Sequence, residues 1–259
     1  MRDASELRAL AEEAARGAGE ILREHFRHPA HGVDAKSTPT DPVSDADRAA
    51  EGFLYDFISS HRPDDGVLAE EGSNERSRSG LTWVVDPLDG TVNFLFGIPH
   101  WSVSIAVEDD AGGLVGVIFD PNRDEMFSAV RGSGASVNGS PISVSGLDDL
   151  SQALIGTGFA YDAEARRVQA GLLTRVLPRA RDIRRAGSAA LDLASVACGR
   201  LDGFYEAPME SWDKAAGIVI ASEAGATISE MPPPKTGLSP GVIAANPSLH
   251  EQLAGLVLA

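Results

Sequence analysis

The chain has 259 residues, 43% of them apolar, a single cysteine and a formal net charge of −16. That length suits one large domain or two closely packed halves around a sizeable core. The acidic balance argues against nucleic acid and anionic membranes as partners, and the lone Cys198 excludes an internal disulfide or a cysteine metal cluster.

No stretch approaches membrane-span length and the N-terminus lacks a basic-then-apolar signal, so a soluble, cytoplasmic protein is expected. Leu7, Leu10, Ala14, Ala18, Ile21 and Leu22 recur at helical spacing and predict a helix over residues 3–27, with Asp3 or Ser5 as its cap. His25, His28 and His31 follow, but Pro29 breaks any helix between them, and they read as surface histidines. From Lys36 through Asp41 to Asp47, two prolines make the chain extended. Ser44 and Asp47 resemble a capping box for a second helix, whose buried face is marked by Ala49, Phe53 and Phe57, with Ala50, Leu54 and Ile58 beside it. A short strand, 66–69, leads into Glu70-Glu71-Gly72, and the polar stretch 73–80 reads as a mobile loop.

The stretch from Trp83 to Phe94 organises the rest. An apolar run over 82–85 predicts a buried strand that Pro87 and Gly90 stop abruptly. Asp86 and Asp89 therefore sit at a strand end with the Leu88 carbonyl between them. Oxygen donors of this kind suit a hard cation such as Mg²⁺. The N–H groups and the Thr91 hydroxyl behind them suit an anionic oxygen. The residues alone thus suggest a metal site that holds phosphate.

Three strands, 103–107, 114–119 and 125–130, form a meander, and Asn138-Gly139 marks a hairpin. Arg131-Gly132-Ser133-Gly134 is glycine-rich but fits neither common nucleotide-loop pattern, so it reads as scaffold. The second half alternates: strand 154–157, helix 163–177, strand 181–184, a helix opened by Gly187-Ser188 and ended by Gly199, and strand 203–206. A helix beginning at Trp212-Asp213, with Asp213 as its cap, runs to about 224. A strand over 241–245 and a helix over 247–258 close the chain. Cys198 lies in an apolar run and reads as a buried small residue.

Taken singly, most of these acids are ordinary caps and turn residues. Together, Lys36…Asp41…Asp47, Glu70-Glu71, Asp86-Pro87-Leu88-Asp89-Gly90-Thr91 and Trp212-Asp213 resemble the signatures of the inositol monophosphatase family over essentially the whole chain. That resemblance implies one domain over residues 1–259 in an α/β, layered α-β-α-β-α arrangement. A metal-site half spans roughly 1–150 and a substrate-site half 151–259. It implies a Mg²⁺-dependent, lithium-sensitive phosphatase, commonly a homodimer. Glu70, Asp86 and the Leu88 carbonyl are then expected to hold one Mg²⁺, and Asp86, Asp89 and Asp213 a second. A third, weaker position faces Glu70, giving two to three ions per site. Asp47, Thr91 and Glu70 are expected to position the nucleophilic water. Gly90 and Thr91 should meet the phosphate, and Asp89, Ser188, Ala189 and Glu206 the polyol.

The chemistry is consistent with those residue types. Hydrolysis of a phosphate monoester brings two anions together, and bound divalent cations offset that repulsion. A small phosphorylated metabolite, myo-inositol monophosphate first, is the expected substrate. Histidinol phosphate, a nucleotide 3′-phosphate, fructose 1,6-bisphosphate and NADP are the alternatives within the class, and an RNA-associated regulatory protein is the alternative outside it. Ser44 where the family usually has Thr, Lys214 after Asp213, and the segment 208–211 depart from the pattern and bear on substrate preference.

Overall fold

The computed structural model of the chain describes residues 4–27, 33–35, 42–70, 72 and 74–259. The expectations for Asp3, His28, His31, Lys36, Asp41, Glu71, Ser73 and the side chain of Ser44 fall outside those residues.

Helix α1 (Ala4–Arg27) buries Leu7, Ala14, Ala18 and Leu22, as its apolar period predicts. A short antiparallel pair, β1 (Val33–Ala35) and β2 (Pro42–Ser44), leads into α2 (Asp45–His61). The buried face of α2 differs from the expected one. Ala46, Ala50, Leu54 and Ile58 are buried, Phe53 and Phe57 are half-buried, and Ala49 is exposed. The cause is the close approach of α1: a Cβ on Gly17 would lie 2.3 Å from the Phe53 ring, so Phe53 lies over bare α1 backbone instead of entering the core.

The chain then builds β3 (Gly66–Ala69), β4 (Asn74–Glu75), β5 (Thr82–Asp89), a five-residue helix α3 (Thr91–Leu95), β6 (Ser102–Asp109), β7 (Gly112–Asp120), β8 (Glu125–Val130), β9 (Ala135–Val137) and β10 (Ser140–Ile142). The strands form one eight-stranded sheet in the order β10-β9-β8-β7-β6-β5-β3-β4. Only β3 and β5 run parallel; the others pair antiparallel, as a meander requires. Asn138 and Gly139 both take positive φ, 48° and 76°, which gives the hairpin its expected primed turn. The stretch expected as a mobile loop contributes β4 and is tethered beyond it: the Arg78 and Ser79 N–H groups donate to the Asp64 carbonyl, and Ser79 Oγ donates to buried Asp65.

A 3₁₀ turn (Leu150–Gln152) precedes β11 (Leu154–Thr157), α4 (Ala163–Val176), β12 (Asp182–Arg184), α5 (Ala189–Ala197), β13 (Gly203–Glu206), α6 (Ser211–Glu223), β14 (Thr227–Met231), β15 (Gly241–Ala245) and α7 (Pro247–Val257). Its five strands order as β12-β11-β13-β15-β14. Strand β14 has no counterpart in the sequence reading. It is an edge strand, mostly half-buried, and its residues Thr-Ile-Ser-Glu-Met carry little apolar alternation.

Four apolar clusters define the layers. Helices α1 and α2 cover one face of the large sheet. Helices α5 and α6 cover its other face, and their far side, with Leu193 and Val196, meets Phe204, Val242 and Ala244 of the small sheet. Helices α4 and α7 close the outer face of that sheet through Leu172, Val176, Leu249 and Leu253. The result is the α-β-α-β-α sandwich. Two devices seat α6. Gly116 of β7 lets the helix backbone come close, since a Cβ there would stand 2.5 Å from the Ala216 carbonyl oxygen. At the other end of α6, the N–H groups of Gly132, Ser133 and Gly134 donate to the Glu223 carboxylate at 2.7–3.0 Å. The glycine-rich turn is therefore a clamp for a helix end.

Gly116→Val forces α6 off the sheet. We expect a loss of about 2 kcal/mol or more, in line with overpacking of a dense interior, read as a lower urea midpoint. An unchanged midpoint refutes this packing account.

Candidate active site

Strand β5 is buried along nearly its whole length, and its pairing with β6 breaks register between Asp86 and Asp89. That irregularity turns both carboxylates out at the strand end. Asp86 Oδ1 accepts from the Leu88 N–H at 2.9 Å, a local turn that fixes its side chain. Gly90 follows at φ 101°, a conformation that only glycine adopts cheaply, and α3 starts at Thr91. Thr91 Oγ1 lies 3.2 Å from Asp47 Oδ1 and 3.1 Å from the Leu88 carbonyl. Asp47 is fully buried on α2. The distant pairing of Asp47 with Thr91 is therefore present, and Asp47 stands behind the cavity wall.

Asp89 reaches across to α5. Its carboxylate accepts from Ser188 Oγ, from the Ala190 N–H at 2.8 Å and from the Ala189 N–H at 3.3 Å. Ser188 is the N-cap of α5, and its Oγ also accepts from the Leu191 N–H at 3.3 Å. At this helix start, where Ser188 and Ala189 were expected to meet the polyol, the N–H groups of Ala189 and Ala190 are thus engaged by Asp89. Asn93 braces the same junction: its Nδ2 donates to the His100 and Ala186 carbonyls at 2.8 and 2.9 Å.

Asp213 is not the N-cap of α6. The helix begins two residues earlier, at Ser211, and Asp213 Oδ2 accepts from the Glu210 N–H at 2.7 Å. One carboxylate thus steadies its own helix start while facing the cavity. Lys214 points away from it, donating to the Met209 and Pro240 carbonyls, so it pins the 208–211 segment.

One cavity of about 520 Å³ gathers these parts. Glu70, Asp86, Leu88, Asp89, Gly90, Thr91 and Asp213 line one end, and Ser188, Ala189 and Glu206 the other. The electrostatics are those of acids crowded out of water. Burial raises the Asp86 carboxyl well above its ordinary value, and the charges of Glu70, Asp89 and Asp213 add to it. Burial does the same to Asp213, with Glu70 and Asp89 contributing. Asp89 is pushed by burial to about 6, against the pull of its Ser188, Ala190 and Ala189 hydrogen bonds. Glu206 is pushed to about 8 by burial and the neighbouring Asp192, opposed by Arg185.

Among the described residues, no three His, Cys, Asp or Glu side chains form a preassembled metal cage. Asp86, Asp89 and Asp213 each turn oxygen toward a backbone donor. The donor chemistry still fits a hard cation: every candidate ligand is an oxygen, the acids share one cavity, and their mutual repulsion marks missing positive charge. Cys198 is half-buried and its thiol is raised by burial, which suits an inert residue.

Some residues in and beside the cavity were not legible beforehand. Asn93 lay within the central motif without an assigned role. Arg185 and Asp192 had only a weak signal, a second arginine before Ala186-Gly187 and an acid inside the apolar α5 sequence.

A model of the inositol monophosphatase family matches residues 3–259. The inositol-1-monophosphatase of Mycobacterium leprae is 41% identical over 97% of this chain and 93% of its own length. A protein of Escherichia coli named Nus factor SuhB is 38% identical over 92% of this chain and 90% of its own length. The crystal structure of the extragenic suppressor protein suhB from Bartonella henselae superposes with a TM-score of 0.89 at 37% identity, covering 96% of this chain and 97% of that one.

A raised carboxyl stabilises the fold below its unfolded value, about 4, and that contribution is lost as pH rises through the folded value, about 6 for Asp89. With chelator present, we expect stability to fall between about pH 4 and pH 7, and Asp89→Asn to flatten that fall. Urea midpoints across the range test this; parallel profiles for parent and variant contradict it.

Proposed function

The chain belongs to the inositol monophosphatase family, and from that premise we propose that it hydrolyses a small phosphate monoester, myo-inositol monophosphate first, with Mg²⁺. The observation that carries this reading is the meeting of Glu70, Asp86, Asp89 and Asp213 in one cavity beside Gly90 and Thr91. Glu70, Asp86 and the Leu88 carbonyl would hold one ion, Asp86, Asp89 and Asp213 a second, with room for a third beside Glu70. Bound there, Mg²⁺ neutralises phosphoryl charge and lowers the pKa of water.

The chain's own residues do the positioning. The Thr91 hydroxyl proton is committed to buried Asp47 or to the Leu88 carbonyl. Its oxygen is then left to accept a hydrogen bond from the attacking water, which Glu70 also orients. Attack on phosphorus releases the alcohol and inorganic phosphate. The N–H groups of Gly90 and Thr91 hold phosphoryl oxygens, a placement that the positive φ of Gly90 makes possible. Glu206 receives substrate hydroxyls, with the longer-held Ala189 N–H beside it. No phosphothreonine is involved, because Thr91 gives its proton inward.

The name of the Mycobacterium leprae relative supports inositol phosphate as substrate. The homodimer also remains part of this proposal, with Phe96 and Ile98, 79% and 48% exposed just after α3, as apolar residues open to a second copy. Among the described residues no helix is long and apolar enough to cross a membrane.

The relative named Nus factor SuhB favours a second reading, a role beside the transcription machinery. The net charge of −16 weighs against direct RNA contact. Retention by RNA or RNA polymerase that survives Asp89→Asn would support it.

Asp89→Asn and Asp213→Asn should each abolish Mg²⁺-dependent turnover and keep a native circular dichroism spectrum; near-normal activity in either refutes the ligand assignment. Across a panel of inositol, histidinol, nucleotide 3′- and fructose phosphates, we expect the highest kcat/KM for inositol monophosphate, and inhibition by lithium. No preference for inositol phosphate overturns the substrate; insensitivity to high millimolar lithium counts against the ion arrangement.

A further inference from the structure

Helix α5 carries one charge in an apolar sequence, Ala189-Ala190-Leu191-Asp192-Leu193-Ala194. Asp192 is 3% exposed and lines the cavity. Among the described residues its carboxylate accepts no hydrogen bond and has no cation within ion-pair distance. A buried carboxylate without donors is costly. The neighbouring acids differ: Asp89 has three donors, and Asp86 and Asp213 each have a backbone N–H. What Asp192 lacks in the protein must come from the cavity.

Two glycines border the same wall. A Cβ on Gly156 would stand 3.6 Å from Asp192 Cγ and 2.8 Å from a Leu201 methyl. A Cβ on Gly158 would collide with the Glu206 carboxyl at 2.0–2.1 Å. The bare backbone at Gly158 thus gives Glu206 its room, Gly156 lies in contact range of Asp192, and the two acids share one wall near enough for the Asp192 charge to act on Glu206. Two acceptors side by side suit a ligand that presents several donors. An ammonium group is one such ligand, but it would share the wall with Arg185, the one cationic side chain among the described residues lining the cavity, which already offsets part of the acids' charge. A second phosphate would meet two carboxylates. Hydroxyls on neighbouring carbons satisfy both acids and carry no charge.

We infer that Asp192 is a specificity-determining residue whose carboxylate accepts hydrogen bonds from the hydroxyls of a polyol phosphate, alongside Glu206. This rests on the phosphatase reading above. Its role is recognition of the alcohol, remote from the phosphorus, and it separates a hydroxylated ring from a bare one.

The test compares myo-inositol 1-phosphate with cyclohexyl phosphate, the same ring without free hydroxyls, on the full-length Mg²⁺-loaded protein. The readout is the ratio of their kcat/KM values. In Asp192→Ala that ratio should fall at least about tenfold, the scale of a hydrogen bond to a charged group, chiefly through KM for inositol phosphate. Asp192→Asn keeps shape and one acceptor, and should fall about threefold or more; it decides the matter if the alanine variant does not fold. Losses that are equal for both esters, leaving the ratio in place, overturn the inference and assign Asp192 a structural role or a counter-charge to Arg185. A parent protein that hydrolyses neither ester overturns the phosphatase reading itself, and this inference with it.

Discussion

The hydrogen bonds between Asp89 and the start of α5 join residues about 100 positions apart in the chain. Asp89 ends β5 of the large sheet, and α5 lies between the sheets. A buried carboxylate must have partners, and three donors at a helix start provide them with the favourable end of the helix dipole. The junction fixes how far the strand end stands from the substrate wall. Asp213 follows from it by packing, because α5 supports α6 and α6 rests on the large sheet at Gly116. Disturbing this junction displaces both ends of the cavity together.

The same carboxylates are held in a way that preserves their charge for other use. Asp86, Asp89 and Asp213 are satisfied by N–H and O–H donors, which are neutral. Arginine or lysine partners would have cancelled the field that draws a cation. Lys214, adjacent in sequence to Asp213, is turned to backbone carbonyls, and burial lowers its ammonium below the ordinary value. Arg185 stands with Asp192 and Glu206; burial raises both carboxyls, and Arg185 offsets part of that rise. The cavity therefore divides into an end with acids alone and an end where two acids share one guanidinium.

Much of the anionic end was legible because its signals are local. An apolar run cut off by Pro87 and Gly90 states where Asp86 and Asp89 must sit. Pairings across the chain are not local: Asp47 with Thr91 and Glu70 with Asp213 were reachable only through a family resemblance. So was the five-layer order, since periodicity identifies helices and strands but not what they stack on. The face of α2 was misread by one position for a related reason. Phe53 and Phe57 look like core residues, and only the bare backbone at Gly17 explains why small Ala46 and Ala50 face inward instead. Asp213 read naturally as an N-cap, yet a cap and the third residue of a capping box are both acids near a helix start, and sequence does not separate them.

This division also explains why the reaction class is easier to read than the substrate. Each acid of the anionic end is tied to a different element, β5, α5 or the start of α6, so a change there disturbs packing as well as charge. The opposite wall is built differently. Tyr161, Pro208 and Glu210 come from connections after β11 and β13, where substitution costs the core little. Asp192 is the exception: it belongs to that wall but sits on a buried helix, and among the described residues its carboxylate accepts no hydrogen bond from the protein. An acceptor fixed on a packed helix, in the part of the site that is otherwise free to vary, is the strongest constraint the structure places on the alcohol it receives.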